Sequence, residues 1–384
     1  MDERKNIINK RIKYFVGYDA KECYSENRDV STAAMTKATY ICKKLNQLGY
    51  GVDIVSNAVS KNDSGFYMTH RYKLSELNYL YITPSIGGKG VIYRAFNRWL
   101  SNMWLFLYGM FNLKRNETII VYHGLAKEKV ILWLKRLKAL TLILEAEELY
   151  QNVGKPKRKM VKLENRVMEK ADKFIVITEE LNRIINKKNR EYCVLNGTYE
   201  YIARDKKRNN EYIKLVYAGT FNAEKGGVYK AIDVMDRLPD NFNLDILGFG
   251  TDKEVEDVKK YISKKDKREN INYIGLKRDQ DFLNHLCNCD IGLSTQNSQG
   301  SYNGTSFPSK ILTYICCGLK VVSVKTQVVE NSDVSSCVVM YEDRDINELA
   351  NAIILAQKQK IDCRESIERL DMEFTLKLED LLKL

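Results

Sequence analysis

Residues 303–322, NGTSFPSKILTYICCGLKVV, have the layout of a polar loop followed by a helix and a strand. Pro308 and Ser309 are residue types that favour the start of a helix. The apolar residues that follow predict a helix that ends at Gly318, and the valines after it begin a buried strand. The first turn would present free backbone N–H groups beside Lys310, which predicts a phosphate site. An ordinary loop–helix–strand unit without a ligand fits the same pattern.

A second loop, GTFNAEKGG at residues 219–227, also follows an apolar strand and opens a predicted helix. Gly219 allows close approach of a ligand to the backbone, and Lys225 can neutralise a phosphate. Further glycines follow two later strands, at Gly248 and Gly275. With residues 303–310 they predict several anion-binding loops on one edge of one domain.

The composition is that of a globular protein, with 384 residues, 44% hydrophobic and 29% charged. This length predicts two domains. The first residues, MDERKNIINKRIK, lack the apolar core of a secretory signal, so we expect a cytoplasmic protein. The nine cysteines favour free, buried thiols in a reducing compartment. Cys287 and Cys289 near His285 have metal-like spacing but no second ligand pair, so we expect no metal.

Positive charge is concentrated in the first half of the chain. Residues 1–200 contain 35 Lys and Arg against 21 Asp and Glu, whereas residues 201–384 contain 27 against 29. The excess indicates an anionic partner, either nucleic acid or a membrane surface. Because no helix-turn-helix, zinc-finger or RNA-binding aromatic motif is visible, we expect no nucleic acid.

Aromatic residues cluster at 93–111, with Arg94 and Arg98 among them. The mixture predicts a helix that lies at the anionic inner face of the plasma membrane. Its apolar run is too short to span a bilayer. A core helix with a solvated basic rim accounts for the pattern equally well.

Apolar strands alternate with helices along the whole chain, which predicts an α/β fold of two doubly wound, Rossmann-like domains with a cleft between them. We expect an N-terminal acceptor-binding domain at 1–200 and a nucleotide-sugar-binding domain at 201–363. A C-terminal helix at 364–384 is expected to return toward the first domain. Ligands of such sheets bind at the carboxyl ends of the strands.

Residues 213–358 resemble the donor-binding domain of retaining GT-B glycosyltransferases of the family 4 type. The resemblance rests on YAGTFNAEKGG, LDILGFG, INYIGL, CDIGLSTQ and FPSKILTYICCGLKVVS, in this order. In the first half only the alternation and AAMTKATYICKKLNQLGYGVDIVS are similar. The resemblance implies metal-independent transfer of a hexose from a nucleotide sugar, usually of uridine or guanosine diphosphate, with retention. It also implies a lipid-linked acceptor in synthesis of capsule or O-antigen.

Carried over by position, the resemblance assigns the donor site to Gly219, Thr220, Lys225, Gly248, Gly275, Leu276, Thr305, Ser309, Lys310 and Thr313. The chain departs from the family at three of these positions. Thr305 and Thr313 stand where the family usually has a pair of glutamates, and Thr220 stands where it often has an arginine. Threonine can bond to a sugar hydroxyl but has no charge and a shorter reach.

The first half offers His123 and the acidic group Glu145, Glu147 and Glu148 as catalytic candidates, since each follows a buried strand. His123 can hydrogen-bond the sugar or the acceptor. A glutamate can act as a base toward an acceptor hydroxyl or stabilise an oxocarbenium ion, and Glu147 ranks first. A capped loop histidine and a solvated acidic helix start are the alternatives.

These features predict a hexosyltransferase that uses a nucleotide sugar and a lipid-linked saccharide at the inner leaflet, in possible association with a partner glycosyltransferase. Thr305 and Thr313 favour an alternative, a catalytically inactive GT-B subunit that supports an active enzyme. A third alternative is a sugar-nucleotide isomerase on the same fold. The pattern disfavours it, because an isomerase would give the basic first half of the chain no role.

Overall fold

The computed structural model describes residues 10–152, 157–202, 211–222, 226–297 and 304–383. The chain forms two compact units. Unit 1 comprises Met1–Leu195 with Phe374–Leu384, and unit 2 comprises Asn196–Glu373. The division falls close to the junction predicted at residue 201, and the end of the predicted C-terminal helix belongs to unit 1.

The core of unit 1 is an eight-stranded sheet in the order β10-β9-β8-β7-β1-β2-β5-β4. All neighbouring strands are parallel except β4 and β5. A separate two-stranded ribbon joins β3 to β6. The strands are β1 (Lys10–Phe15), β2 (Tyr50–Ser56), β3 (Phe66–Tyr67), β4 (His70–Lys73), β5 (Asn78–Ile82), β6 (Ser85–Ile86), β7 (Thr118–Tyr122), β8 (Thr141–Ala146), β9 (Lys173–Val176) and β10 (Tyr192–Val194).

Five helices connect these strands: α1 (Thr32–Gln47), α2 (Val91–Asn112), α3 (Glu128–Lys138), α4 (Arg158–Lys170) and α5 (Glu179–Ile185). The central strands are buried throughout, as in β7, where Ile119, Ile120 and Val121 are fully enclosed. Such strands need apolar side chains on both faces of the sheet, and for this reason they appear in the sequence as continuous apolar runs.

Unit 2 has a six-stranded parallel sheet in the order β13-β12-β11-β14-β15-β16. This is the strand order 3-2-1-4-5-6 of a nucleotide-binding doubly wound fold. The strands are β11 (Ile213–Thr220), β12 (Phe242–Phe249), β13 (Ile271–Gly275), β14 (Ile291–Ser294), β15 (Lys320–Val324) and β16 (Val338–Tyr341). The helices are α6 (Gly227–Asp233), α7 (Asp252–Ile262), α8 (Asp279–Leu286), α9 (Lys310–Cys316), α10 (Gln327–Glu330) and α11 (Ile346–Lys358). The last helix, α12 (Arg364–Leu382), begins in unit 2, and its residues from Phe374 onward belong to unit 1.

The end of α9 follows its sequence prediction. Gly318 has φ +73°, its N–H bonds to the Ile315 carbonyl at 2.8 Å, and the Leu319 N–H bonds to Tyr314 at 3.0 Å. This is a Schellman cap, which needs a left-handed residue at the position of Gly318.

The polar segment 57–76 contains β3 and the antiparallel edge strand β4. Cys337 and Cys363 form a disulfide, so the prediction of free thiols is wrong for this pair. No helix in the described ranges combines the length and apolar character needed to cross a membrane.

Candidate functional site

Two donor-site candidates of unit 2, Gly219 and Thr220, lie beside the point where the direction of strand connection reverses, between β11 and β14. Ligands of doubly wound sheets bind at this switch point, outside the carboxyl ends of the strands. β11 ends at Gly219 and Thr220, and its register with β14 stops at Tyr217 opposite Leu293. Gly219 and Thr220 therefore occupy the position that the fold reserves for ligands.

Lys310 reaches the end of β11 from the first turn of α9. A Cβ at position 219 would lie 3.1 Å from the Lys310 Nζ and 3.0 Å from the Tyr217 hydroxyl. The same ammonium lies 4.5 Å from the centroid of the Tyr217 ring. The structure thus brings Gly219 and Lys310 together, and an ammonium beside exposed backbone at a strand end is suited to phosphate oxygens.

Tyr314 fixes α9 to the sheet at this point. Its hydroxyl accepts a hydrogen bond from the Ala218 N–H at 2.8 Å and lies 3.4 Å from the Leu293 carbonyl. The fully buried ring passes over Gly292, where a Cβ would approach ring atoms to 2.3 Å. A residue other than glycine at 292 would displace this tyrosine, and with it the turn that carries Lys310.

Gly248 makes the end of β12 fit against the end of β11. Its φ is +152°, and a Cβ there would come within 1.8 Å of the Gly219 carbonyl oxygen. No side chain could be accommodated without moving the backbone of Gly219. Gly248 therefore shapes the site by packing.

Leu276, one of the predicted donor residues, follows Gly275 and lines a surface groove of about 660 Å³ that runs along α8. Gly275 has φ +80°, which re-aims the chain at the end of β13, and Leu276 is half exposed. The groove also includes Arg278 and His285. A base could stack on Leu276 here.

Of the four hydroxyl residues assigned to the donor, Thr220 ends β11, and the other three differ in their accessibility. Thr305 is 7% exposed, and the Thr313 hydroxyl donates to the Ser309 carbonyl at 3.3 Å. Ser309 is exposed, and its side chain makes no capping hydrogen bond to α9, contrary to the expectation that it starts the helix by capping. Lys225 lies outside the described residues, as does much of the loop before Gly304.

In unit 1 the corresponding switch point lies between β1 and β7, and Glu147 follows the neighbouring strand β8. One Glu147 oxygen lies 3.1 Å from the Lys37 ammonium, and the other accepts from the Tyr122 hydroxyl at 2.9 Å. The Glu147 side chain is 20% exposed to solvent. It is therefore held in one orientation while remaining accessible.

Glu145 is fully enclosed, so it cannot meet a substrate directly. Its carboxyl accepts from the Tyr14 hydroxyl and lies 3.8 Å from Lys37. Burial raises the pKa of Glu145 to about 7, although the Lys37 ammonium opposes the shift. Glu148 is half-buried.

His123 is 2% exposed, and both of its ring nitrogens are paired, Nδ1 with Glu128 and Nε2 with Glu164 at 2.9 Å. Burial opposes its protonation, but the bonds to the two carboxylates prevail and raise its pKa. Tyr150 donates its N–H to the same Glu164 oxygen at 2.7 Å. A ring enclosed in this way has no free nitrogen for a sugar, and the geometry gives His123 a positioning role that joins α3 to α4.

Sequence reasoning missed the two buried lysines of unit 1 whose charges act on Glu145, Lys37 and Lys127. Lys37 is 3% exposed and Lys127 is 4% exposed. Burial lowers the pKa of Lys127 to about 8. Lys37 shares helical spacing with Ala34, Ala38 and Ile41, all buried, so a lysine within an apolar stripe was the signal that could have revealed it.

Asp245, His285 and Cys289 place three potential ligand atoms within 4.8 Å of one another. The Asp245 carboxylate is already bonded, to His285 at 2.9 Å and to Asn272 at 2.9 Å. Burial alone would raise the pKa of Asp245, but these two bonds lower it. The cluster is accounted for by hydrogen bonding, and the absence of a metal requirement stays a prediction.

Comparison with known proteins places this geometry in context. Residues 212–358 match the family model described as glycosyl transferases group 1. No curated protein sequence matches the chain.

Solved structures resemble the whole chain in fold. Sucrose-phosphate synthase from Thermosynechococcus elongatus has a TM-score of 0.69 at 13% identity, over 97% of this chain and 98% of that one. HepE from Anabaena, in complex with UDP and glucose, has a TM-score of 0.63 at 10% identity, over 97% and 99%. An E. coli trehalose-6-phosphate protein bound with UDP-2-fluoro glucose has a TM-score of 0.61 at 11% identity, over 97% and 99%.

The matched residues 212–358 contain the six-stranded sheet and α9, which carry Gly219 and Lys310. The chain therefore has the GT-B fold of these solved structures, and residues 212–358 are similar to group 1 glycosyl transferases.

Proposed function

We propose that the protein transfers a hexose from a nucleoside diphosphate sugar, with UDP as the expected nucleotide, to a lipid-linked saccharide, with retention at the anomeric carbon. The product would extend a surface polysaccharide such as capsule or O-antigen. Two of the similar structures are described with UDP or a UDP-sugar bound, which supports uridine as the nucleoside of the donor.

The observation that carries the donor assignment is the Lys310 ammonium against Gly219 at the switch point of unit 2. A diphosphate there would bond to the strand-end backbone and to Lys310. When the bond between the anomeric carbon and the diphosphate oxygen breaks, negative charge grows on the leaving diphosphate. A preorganised ammonium stabilises that charge more in the transition state than in the ground state.

On the acceptor side, the acceptor oxygen bonds to the anomeric carbon as its hydroxyl proton leaves. We assign Glu147 to this step because Lys37 and Tyr122 hold its carboxylate in place at a strand end. It orients the acceptor hydroxyl or stabilises positive charge on the sugar. Glu145 and His123 support the unit from within.

Calorimetric titration tests the donor assignment. We expect the full-length protein to bind UDP more tightly than uridine. Lys310→Ala should lower the affinity for UDP by about tenfold, because it removes one charge-assisted hydrogen bond. Uridine binding should be unchanged by this substitution. Lys358→Ala, which removes an exposed charge at the end of α11, is the control. Equal losses for UDP and uridine would show that Lys310 does not contact the diphosphate.

A second candidate is an inactive subunit that supports another transferase, and Thr305 and Thr313 favour it. One threonine is buried and the other bonds to its own helix, so neither offers the charge of a glutamate. Transfer assays across UDP- and GDP-sugars separate the candidates. UDP binding without turnover of any sugar nucleotide would favour the subunit.

We also propose that α2 attaches the enzyme to the anionic inner face of the membrane. The buried face of α2 contains Asn97, Ser101 and Leu105. On the opposite side runs the α2 stripe, which we define as Ile92, Phe96, Trp99, Met103 and Leu107, all exposed. An apolar stripe facing solvent, in a half of the chain with excess positive charge, matches an anionic bilayer.

Vesicle flotation tests the membrane assignment. We expect binding to phosphatidylglycerol vesicles that weakens with salt, and its loss in Phe96→Ser/Trp99→Ser. The control is Met372→Ser/Leu376→Ser, which removes comparably exposed apolar side chains from α12. Binding that is indifferent to lipid charge and to the α2 stripe would refute the assignment.

A further inference from the structure

A groove of about 480 Å³ lies in unit 1 among α2, α3 and α4, outside the strand-end site. Five basic residues line it: Arg98 of α2, Lys129 of α3, and Lys159, Lys162 and Arg166 of α4. Its volume is in the range of pockets that hold a small ligand.

The sequence of α4 builds one wall of the groove. Lys159, Lys162, Leu163 and Arg166 follow the spacing i, i+3, i+4 and i+7, which places all four on one face of a helix. Glu164 points inward, is 1% exposed and pairs with His123. The helix thus separates its charges, with cations toward the groove and this carboxylate toward the interior.

Acidic residues do not neutralise the groove. In the described part of the chain, none of the five basic residues has an ion pair or a side-chain hydrogen bond. α2 has no acid, the acid of α3 is Glu128, and those of α4 are Glu164 and Glu169. Glu128 and Glu164 are buried on His123, and Glu169 lies near Lys170 and Lys188. The cations repel one another unless an anion joins them.

The other lining residues are apolar. Leu125, Met160 and Leu163 contribute aliphatic surface between the charges. Trp133 lies one turn beyond Lys129 on α3, is 61% exposed and meets Phe106 of α2 edge to face. A ligand for such a groove has a polyanionic head and a hydrocarbon tail. Bases of a nucleic acid would find no aromatic platform among the groove residues.

We propose that this groove binds the diphosphate of the lipid-linked acceptor, with the first carbons of the lipid on Leu125, Met160 and Leu163. Arg98 and Arg166 can grip phosphate oxygens in bidentate fashion, and the lysines add charge. The inference rests on the proposed transferase function and names the part of the acceptor that the enzyme recognises.

The test uses the full-length protein and neutral phosphatidylcholine vesicles that carry either a polyisoprenyl diphosphate or phosphatidylglycerol at equal total charge. We expect the wild type to prefer the diphosphate vesicles by about tenfold, because convergent cations favour a concentrated charge. Lys129→Gln/Lys162→Gln/Arg166→Gln should lose this preference. Lys260→Gln/Lys264→Gln/Lys358→Gln, with the same change in charge at exposed positions of unit 2, should retain it.

Thermal melting and UDP titration of each variant show that it is folded and binds the donor. A groove variant that keeps the preference overturns the proposal, as does a wild type that binds both vesicles equally. If UDP still binds in those cases, the donor assignment stands and only the groove assignment fails. If UDP binding is absent as well, the proposed function fails too.

Discussion

The Tyr314 hydroxyl receives the Ala218 N–H at 2.8 Å, at the point where β11 and β14 separate. A side chain of α9 thus occupies a place where a backbone ladder bond would otherwise lie. The same helix begins with Lys310, so the bond links the position of this lysine to the geometry of the sheet.

Replacing Tyr314 by Phe should lower stability and weaken UDP binding together. The change leaves the buried Ala218 N–H without its partner, which costs about 1–3 kcal/mol. Chemical denaturation and calorimetry measure the two effects. Tyr341→Phe is the matched control, because the buried Tyr341 hydroxyl has no hydrogen-bond partner among the described residues, and its loss should be nearly neutral. Equal effects of the two substitutions would contradict the role of Tyr314.

Lys37→Met should reduce kcat with little effect on UDP affinity. Glu147 would lose its ammonium partner, keep only the Tyr122 bond and adopt several orientations. We expect a loss of about tenfold to a hundredfold. Steady-state kinetics at saturating donor measures it. Lys44→Met removes another buried lysine of α1, away from Glu147, and a similar loss of kcat there would assign the effect to α1 in general.

Lys127→Met should stabilise the protein below pH 8. The pKa of Lys127 falls from 10.5 to about 8 in the folded protein, so the unfolded chain binds more protons and wild-type stability rises with pH above 8. The difference corresponds to about 3 kcal/mol. Melting temperatures from pH 6.5 to 9.5 should show a stabilisation by methionine that shrinks above pH 8. A constant difference across this range would refute the assigned cause.

His123→Leu should destabilise unit 1 by about 3–5 kcal/mol, because Glu128 and Glu164 would remain buried without a cation. The folded pKa of His123 is raised, so its stabilisation is fully present below the unfolded value of about 6.5 and is lost as pH rises through the folded value. The stability gap between wild type and variant should therefore narrow with pH. Combining His123→Leu with Glu128→Gln and Glu164→Gln should restore part of the loss.

Much of the fold could be predicted because its signals are local. Apolar runs such as residues 118–122, the glycine after α9 and the glycines at strand ends each depend on neighbours within a few residues. Lys310 could be nominated in the same way, from its place in the first turn of a short helix. The prediction for His123 was less complete. The sequence showed that His123 follows a buried strand, but it did not show that Glu128 and Glu164 enclose the ring.

By itself, the amino-acid sequence determined the two α/β sheets and the strand ends at which ligands bind, because backbone geometry and apolar periodicity are written into short stretches. The tertiary structure alone decided which charges face a ligand. Lys37 forms an ion pair with Glu147, and His123 forms a hydrogen bond with Glu164, which lies on α4, 41 residues further along the chain. Such pairings depend on which strands become neighbours, and burial makes a charge without a partner costly. In the same way, the sequence of residues 303–322 predicted a ligand site at the edge of the sheet. The position of Lys310 within that site depends on the contacts of Tyr314 and Gly219.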